Sequence, residues 1–538
     1  MNTIHLTLLD WVVTIFYLVA IAAIGVMAGR RVKDTDSYFL GKRSFNKWLM
    51  IGQAFGTGTH AEMPVSLAGA VYTIGVSGIW YQWKNLFATP FYWLFAPMFR
   101  RMRRTTTGEI FEDRYGPWLG AIYTVFALGF FTINTASMLK GAGKVISQAT
   151  GGDVPVNEIV IGMTVVFILY SFIGGLMAAA WTDFVQGGLI IVLSFLLIPL
   201  GWSGVGGLSG MRHVLEPSRF SLATPSGIGP WFIFMLTLNG LIGIMAQPHI
   251  LAATGTGKDE YACRTGFMYG TYLKRFCTIG WVMVGLMVSA MAARGVPLHD
   301  PEDAFGYACR QLLFPGGVGL LVASVLAANM AACSAFMVNS GALFTRNFYR
   351  RYLVRNAADS HYLLVGRLSG LGVTMLGVLY SIFLIKRVLY SFLLTETMAT
   401  YVGISLLGGI IWKRANRWGA IASLAVSMAV NFGMYRLRGE RLDHWDPAVF
   451  GASLAAGVAA LVIVSLLTRP EPAEAVEAFA ENLQTPITPG PGSRLLIPDL
   501  LHLQRPFLAN YRIDLTGLAT GSLLALVMVA AVWLLLQL

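Results

Sequence analysis

The chain has 538 residues, of which 56% are hydrophobic and only 12% charged, with a formal net charge of +12. A soluble globular domain carries about 25% charged residues, so this composition excludes a string of soluble domains and points to a membrane-embedded chain that spends its length on one helical bundle. The positive balance is no nucleic-acid signature, because the basic residues gather at the ends of apolar segments, where they set orientation.

Fourteen apolar segments are long enough to cross a hydrocarbon core, which takes about 20 residues each. They run over 9–28, 45–70, 75–98, 118–146, 157–177, 182–202, 228–252, 275–294, 314–345, 362–385, 388–412, 415–435, 447–467 and 515–537. The first has no basic n-region and no small-residue cleavage site, so it reads as a retained helix rather than a signal peptide. Basic clusters fall on alternate loops: RRVKDTDSYFLGKR after the first span, RRMRR at 100–104, KDEYACR and LKR between the seventh and eighth, RNFYRRYLVR at 346–355 and WKRANR at 412–417. These loops are expected in the cytoplasm, which puts both termini outside the plasma (inner) membrane. RLRGER at 436–441 falls on the outer side, one basic loop against five. Segment 468–514 opens RPEPAEAVEAFAENLQTPITPGPGSR and reads as a cytoplasmic linker before an appended last helix. The four cysteines, Cys263, Cys277, Cys309 and Cys333, show no CxxC pairing and no histidine at metal spacing, so neither a disulfide framework nor a zinc site is expected. With no metal cluster, nucleophile elbow or phosphate loop, the sequence suggests no enzyme and no cofactor.

Two spans are broken. Residues 56–64 read GTGTHAEMP, poor material for a spanning helix, and in hydrocarbon such a stretch must face protein, water or a ligand. Five spans later, FMLTLNGLIGIMAQPHI carries Asn239, Gly240, Gly243 and Pro248. Helices broken at corresponding places in two halves mark inverted repeats with a solute site between them. The expected division is therefore 1–44 (extra helix and loop), 45–202 and 228–412 (two five-helix repeats), 413–467 (two accessory helices), 468–514 (linker) and 515–538 (last helix).

Over roughly residues 10–420 the ordered motifs become recognisable: SYFLGKRSFNKWL before the first break, TTTGEIFEDRYG at 105–116, YSFIGGLMAAAWTDFVQGGL at 170–189, AQPHI at 246–250, FPGGVGLLVASVLAANMA, and GGIIWKRANRWGA at 408–420. Together they resemble the sodium/solute symporter family, with its proline carriers and sugar symporters. The resemblance implies an all-α, LeuT-type fold of 5+5 inverted repeats. It also implies a sodium site between the first broken helix and the ninth span, with carbonyl ligands at Gly56, Thr59 and Ala328. The paired hydroxyl positions of that site fall on Ala331 and Ala332, which carry no side-chain oxygen. Ser334, three residues on from Ala331, replaces at most one of them. Gly58 stands where an acidic residue is common. Asp183 matches a family aspartate linked to sodium release, expected at the inward-facing gate and remote from the midplane.

An ionisable group deep in a membrane is a functional candidate. His60, Glu62 and Lys84, with Asn239 and Gly240 at the second break, are therefore the candidate solute-binding residues. Lys84 lies about nine residues into its span, near mid-depth at 1.5 Å per residue, and Glu62 is its expected partner. Plainer readings stand beside these: His60 neutral and bonded to backbone, Lys140 and Lys144 snorkelling from a helix end, and Glu396 paired with Lys386 or Arg387 near the outer surface. The function expected is secondary active transport of a small polar organic solute by alternating access, the solute carrying a carboxylate. The alternatives are a proton-coupled or uncoupled transporter of the same fold, with Na⁺ doubtful as coupling ion, and a transporter-derived solute sensor. The expected partners are a small solute and the lipid bilayer, not nucleic acid.

Overall fold

The computed structural model describes residues 7–29, 35–224, 227–295, 297–439, 444–487 and 492–537. Among these residues all regular structure is helical, and one isolated bridge joins Phe45 to Gly257. The principal helices are α1 (Leu8–Gly29), α2 (Lys47–Gly56), α3 (Glu62–Ile74), α4 (Thr89–Met102), α5 (Thr107–Tyr115), α6 (Pro117–Ala149), α7 (Val156–Val205), α8 (Pro230–Ala246), α9 (Glu260–Arg294), α10 (Ala304–Leu312), α11 (Gly317–Leu343), α12 (Asp359–Phe383), α13 (Val388–Ile411), α14 (Arg417–Leu437), α15 (Pro447–Leu467), α16 (Ala473–Gln484) and α17 (Arg512–Leu535). Among the described residues, nine helical stretches are long and apolar enough to cross a membrane, and three shorter ones are apolar.

The predicted spans map closely onto these helices, with five informative departures. The second span is two helices, α2 and α3, separated by the expected break. The seventh is α8 followed by a short turn of helix at Ile250–Gly255. The third span opens with short turns over Val76–Trp83 before α4 begins. The eighth reaches back to Glu260, so the LKR cluster is no loop: Lys274 and Arg275 lie about four turns inside α9 and are buried. The expected fifth and sixth spans share one helical stretch of 50 residues, α7. Fully straight it would measure about 75 Å, yet both ends reach the neighbourhood of α10. A Cβ on Gly201 would stand 2.7 Å from Leu312, while Val156 abuts Gly143 on α6, whose end packs on Gly306. The stretch therefore bends back on itself between Val156 and Gly201.

Caps of the expected chemistry start the helices. Asn46 accepts from the Trp48 and Leu49 amides at α2, Thr106 and Glu109 form a capping box at α5, and Asp259 accepts from the Ala262 amide at α9. Close backbone contact holds the bundle, as expected where lipid offers no hydrophobic drive between helices: a Cβ on Gly341 of α11 would stand 2.1 Å from the Gly366 carbonyl of α12. Parts of the basic clusters come together at one face of the bundle, where Arg43 donates to the Arg104 carbonyl at 3.0 Å and Arg351 pairs with Glu112. Leu9, in the first turn of α1, abuts Gly316, and the Leu536 carbonyl, just past α17, accepts from Arg212. Segment 468–514 is more than a linker. Its amphipathic helix α16 buries Val476, Phe479 and Leu483, and Arg101 on α4 donates to the Leu483 and Ser493 carbonyls at 3.1 and 2.5 Å. Part of RLRGER, from residue 440 on, lies outside the described residues.

Candidate functional site

The break between α2 and α3 is held by groups on three other helices. Its freed Ala61 amide donates to Asn329 Oδ1 of α11 at 2.9 Å, and Asn329 Nδ2 donates to the Met138 carbonyl of α6 at 2.5 Å. Thr57 Oγ1 donates to Asp183 Oδ2 of α7 at 3.0 Å. Gly141 lets α6 approach: a Cβ there would stand 2.6 Å from Glu62 Cα. His60 Nε2 lies 3.2 Å from the Thr57 carbonyl. A carbonyl only accepts, so Nε2 carries its hydrogen. His60 Nδ1 faces Glu62 Oε1.

Beside the break lies a cavity of about 680 Å³. Its polar lining includes His60, His249, Asn85, Lys274, Arg275 and Glu396, and its apolar walls include Phe130, Phe267 and Phe336. The second break opens onto the same space through Gln247, His249 and Ile250, while Tyr123 donates to the Ala246 carbonyl at 2.8 Å.

The predicted site residues divide. His60 lines the cavity and Glu62 stands behind it as the histidine's partner. Lys84 is fully buried, but its partner is Glu396 on α13 and not Glu62. The expectation failed for a geometric reason. Glu62 is consumed two residues away by His60, and Glu396, placed by sequence near the surface, lies two turns inside α13 and lines the cavity. Asn239 and Gly240 do not line it. Asn239 Oδ1 accepts from Thr400 of α13 at 2.5 Å, and Gly240 gives room to Asn85, whose Oδ1 would stand 2.0 Å from a Cβ there. Asp183 is not remote from the break; a Cβ on Gly56 would stand 2.6 Å from its own Cβ.

Thr59 and Ala328 both line a second cavity of about 410 Å³ whose walls are mostly apolar, among them Leu193, Trp281, Leu321 and Val325. Ala331 and Ala332 are buried, and Ser334 Oγ is buried with no hydrogen-bond partner among the described residues.

Lys274, Arg275, His249 and Asn329 are the residues that sequence reading missed. The AQPHI motif contained His249, and a helical reading continued upstream of residue 275 would have drawn Lys274 and Arg275 out of the loop.

Two discontinuous helices meeting at a buried polar cavity, inside a bundle of apolar helices, define a membrane transporter of the broken-helix kind rather than an enzyme. The model of the sodium:solute symporter family matches residues 38–427, and the chain belongs to that family. It is 27% identical over 428 residues to the osmoregulated proline transporter OpuE of Bacillus subtilis, covering 77% of this chain and 86% of that one. To the sodium/proline symporter of Salmonella typhimurium it is 27% identical over 500 residues, covering 86% and 94%. Among solved structures, a substrate-bound, outward-open Na⁺-coupled sialic acid symporter matches with a TM-score of 0.71 at 18% identity, covering 86% of this chain and 99% of that one. The transporter Mhp1 of the nucleobase-cation-symport-1 family, in a closed conformation, matches at 0.56 and 14%, covering 83% and 98%. The fold is the expected LeuT-type transporter fold, and the chain is an integral, multi-pass membrane protein.

Proposed function

We propose that this chain moves a small polar organic solute across the inner membrane by alternating access. The units 45–202 and 228–412 rock against each other around the cavity at the break, and both termini lie outside. The observation that carries this reading is the cavity itself: a polar space of about 680 Å³ where both broken helices end, the arrangement by which transporters of this architecture hold solute. Purified protein reconstituted in liposomes should accumulate at least one solute from a metabolite panel. Binding without uptake by the reconstituted protein would favour a sensor instead.

Sodium is not the coupling ion in this reading. A hard cation needs oxygen ligands, and the positions around Thr59 and Ala328 offer an apolar wall, with alanines at 331 and 332. The proton is the better candidate, because two groups able to carry one, His60 and Glu62, face each other at the break. An imposed proton gradient should drive uptake, and replacing Na⁺ with choline should leave it unchanged. Uptake that collapses in choline would reverse the assignment and return the ion to Gly56, Thr59, Ala328 and Ser334. Asp183 serves the inward gate through Thr57, so Asp183→Asn should slow turnover and leave solute affinity nearly unchanged. A large affinity loss in the folded variant would contradict this role.

A further inference from the structure

Lys274 projects from α9 toward the break, where a Cβ on Gly58 would stand 3.9 Å from its Cδ. It lines the 680 Å³ cavity and is only 9% exposed. Among the described residues its ammonium has neither a hydrogen bond nor an ion pair. No carboxylate near the cavity contacts Lys274 directly: Glu396 faces Lys84, Glu62 faces His60, and Asp183 accepts from Thr57 at 3.0 Å, with Glu62 Oε2 and Asp183 Oδ1 left without a hydrogen-bond partner among the described residues. Glu62 acts on Lys274 only through space, against the opposing charges of Arg275 and Lys84. Arg275 has no carboxylate either; its Nη1 donates to the neutral Gln82 carbonyl at 2.5 Å. A buried cation without a direct ion-pair partner is costly, and here two such cations share one cavity.

We propose that the solute is a small carboxylate anion without an ammonium group, its carboxylate paired with Lys274 beside the break. The proposal rests on the transporter reading above and names its substrate class. A carboxylate supplies the counter-charge that the protein leaves out. A zwitterionic amino acid supplies it too, but brings an ammonium group beside Lys274 and Arg275, where Glu396, the one carboxylate among the described residues lining the cavity, already faces Lys84. Such an arrangement discriminates by repulsion as well as attraction. The aromatic rings Phe130, Phe267 and Phe336 then wall the organic body of the solute. By this logic the chain differs in solute from the proline transporters it resembles.

The test uses full-length protein in detergent and in liposomes, with lactate, pyruvate and propanoate as anions, lactamide as the uncharged analogue, and proline and alanine as zwitterions. Thermal stabilisation and uptake should be seen with at least one anion. Lactamide and the amino acids should bind about 100-fold more weakly or not at all, as expected when one partner of a buried charge pair is lost. Lys274→Met should lose anion binding by a similar factor while melting no lower than wild type, and Lys274→Arg should retain part of it. Wild-type protein that binds and transports proline or alanine but no anion would overturn the substrate class and leave the transporter reading standing. Wild-type anion affinity in folded Lys274→Met would overturn the role of Lys274. Failure of the folded wild type to bind any of these solutes would overturn the substrate class as well, and the wider metabolite panel would then decide the transporter reading separately.

Discussion

The basic face of the bundle and the cavity at its centre handle charge in opposite ways. At the face, where water is near, charges are paired: Arg104 with Asp113 at 2.6 Å, Arg101 with Glu260 at 2.8 Å and Arg417 with Glu471 at 2.5 Å. In the cavity the pairing is poorer. Lys274 lacks an anion, and Asn85 Oδ1, Tyr92 OH and His249 Nδ1 have no hydrogen-bond partner among the described residues. Selection for stability alone would produce the reverse, since a buried polar group costs most when unpaired. The difference marks which charges hold the protein together and which are kept for something that comes and goes.

Lys84 and Glu396 are the strongest test of that division, because they sit at the cavity yet are paired like the face. With exposures of 0 and 7%, the pair belongs to the class in which losing one partner costs about 3–5 kcal/mol. Lys84→Met and Glu396→Gln should each lower the melting temperature sharply, and the double variant should recover a large part of the loss. Single variants as stable as wild type would place the pair with the unpaired cavity groups and blur the comparison.

Arg101 carries the next largest expectation. Its side chain is fully buried and holds α9 through Glu260 and segment 468–514 through the Leu483 and Ser493 carbonyls. Arg101→Ala should cost about 2–3 kcal/mol, the range for hydrogen bonds to a charged group, and should open residues 473–484 to proteolysis. An unchanged cleavage pattern would show that α16 holds by its apolar face alone.

Asn329 tests the site's scaffold. Asn329→Leu strands the Ala61 amide and the Met138 carbonyl, at about 1–3 kcal/mol for a buried group left unsatisfied. It should also weaken solute binding, because the break loses the brace that fixes it. Hydrogen exchange at residues 57–63 should rise; unaltered protection there would show that the break is held by helix packing instead.

Much of the fold was legible because bilayer thickness imposes a strong period on sequence: apolar runs, basic ends and the break at GTGTHAEMP all follow from it. The break also exposed His60 and Glu62, since their neighbours are local. What sequence hid was every contact set by a distant helix. Lys84 meets Glu396 across more than three hundred residues, Asn329 braces Ala61 from α11, and Lys274 looked like a loop residue because LKR resembles the basic punctuation between spans. Positive charge near a helix end and positive charge reserved for a cavity are spelled alike.

The smallest effect belongs at the face, and it carries a sign. Glu471 lies outside the spans. Burial alone would raise its pKa, but hydrogen bonds from the Arg417 side chain and amide, with the guanidinium charge, outweigh that and hold it below the ordinary 4.5. A carboxylate whose pKa is depressed in the folded state adds stability that is full above the unfolded value and is lost as pH falls through the folded one. The Arg417–Glu471 contact should therefore hold residues 468–472 to α14 above pH 4.5 and release them progressively below it. Arg417 is 42% exposed, so solvent screening limits the contribution to roughly 0.2–1 kcal/mol. Hydrogen exchange at the Arg417 amide, which donates to Glu471 at 2.9 Å, should show lower protection as pH falls through this window, after correction for intrinsic exchange. In Glu471→Gln that loss should vanish while the cavity's solute affinity stays as in wild type. If affinity falls with the contact, face and cavity are coupled, and the separation drawn between them gives way to a single linked network.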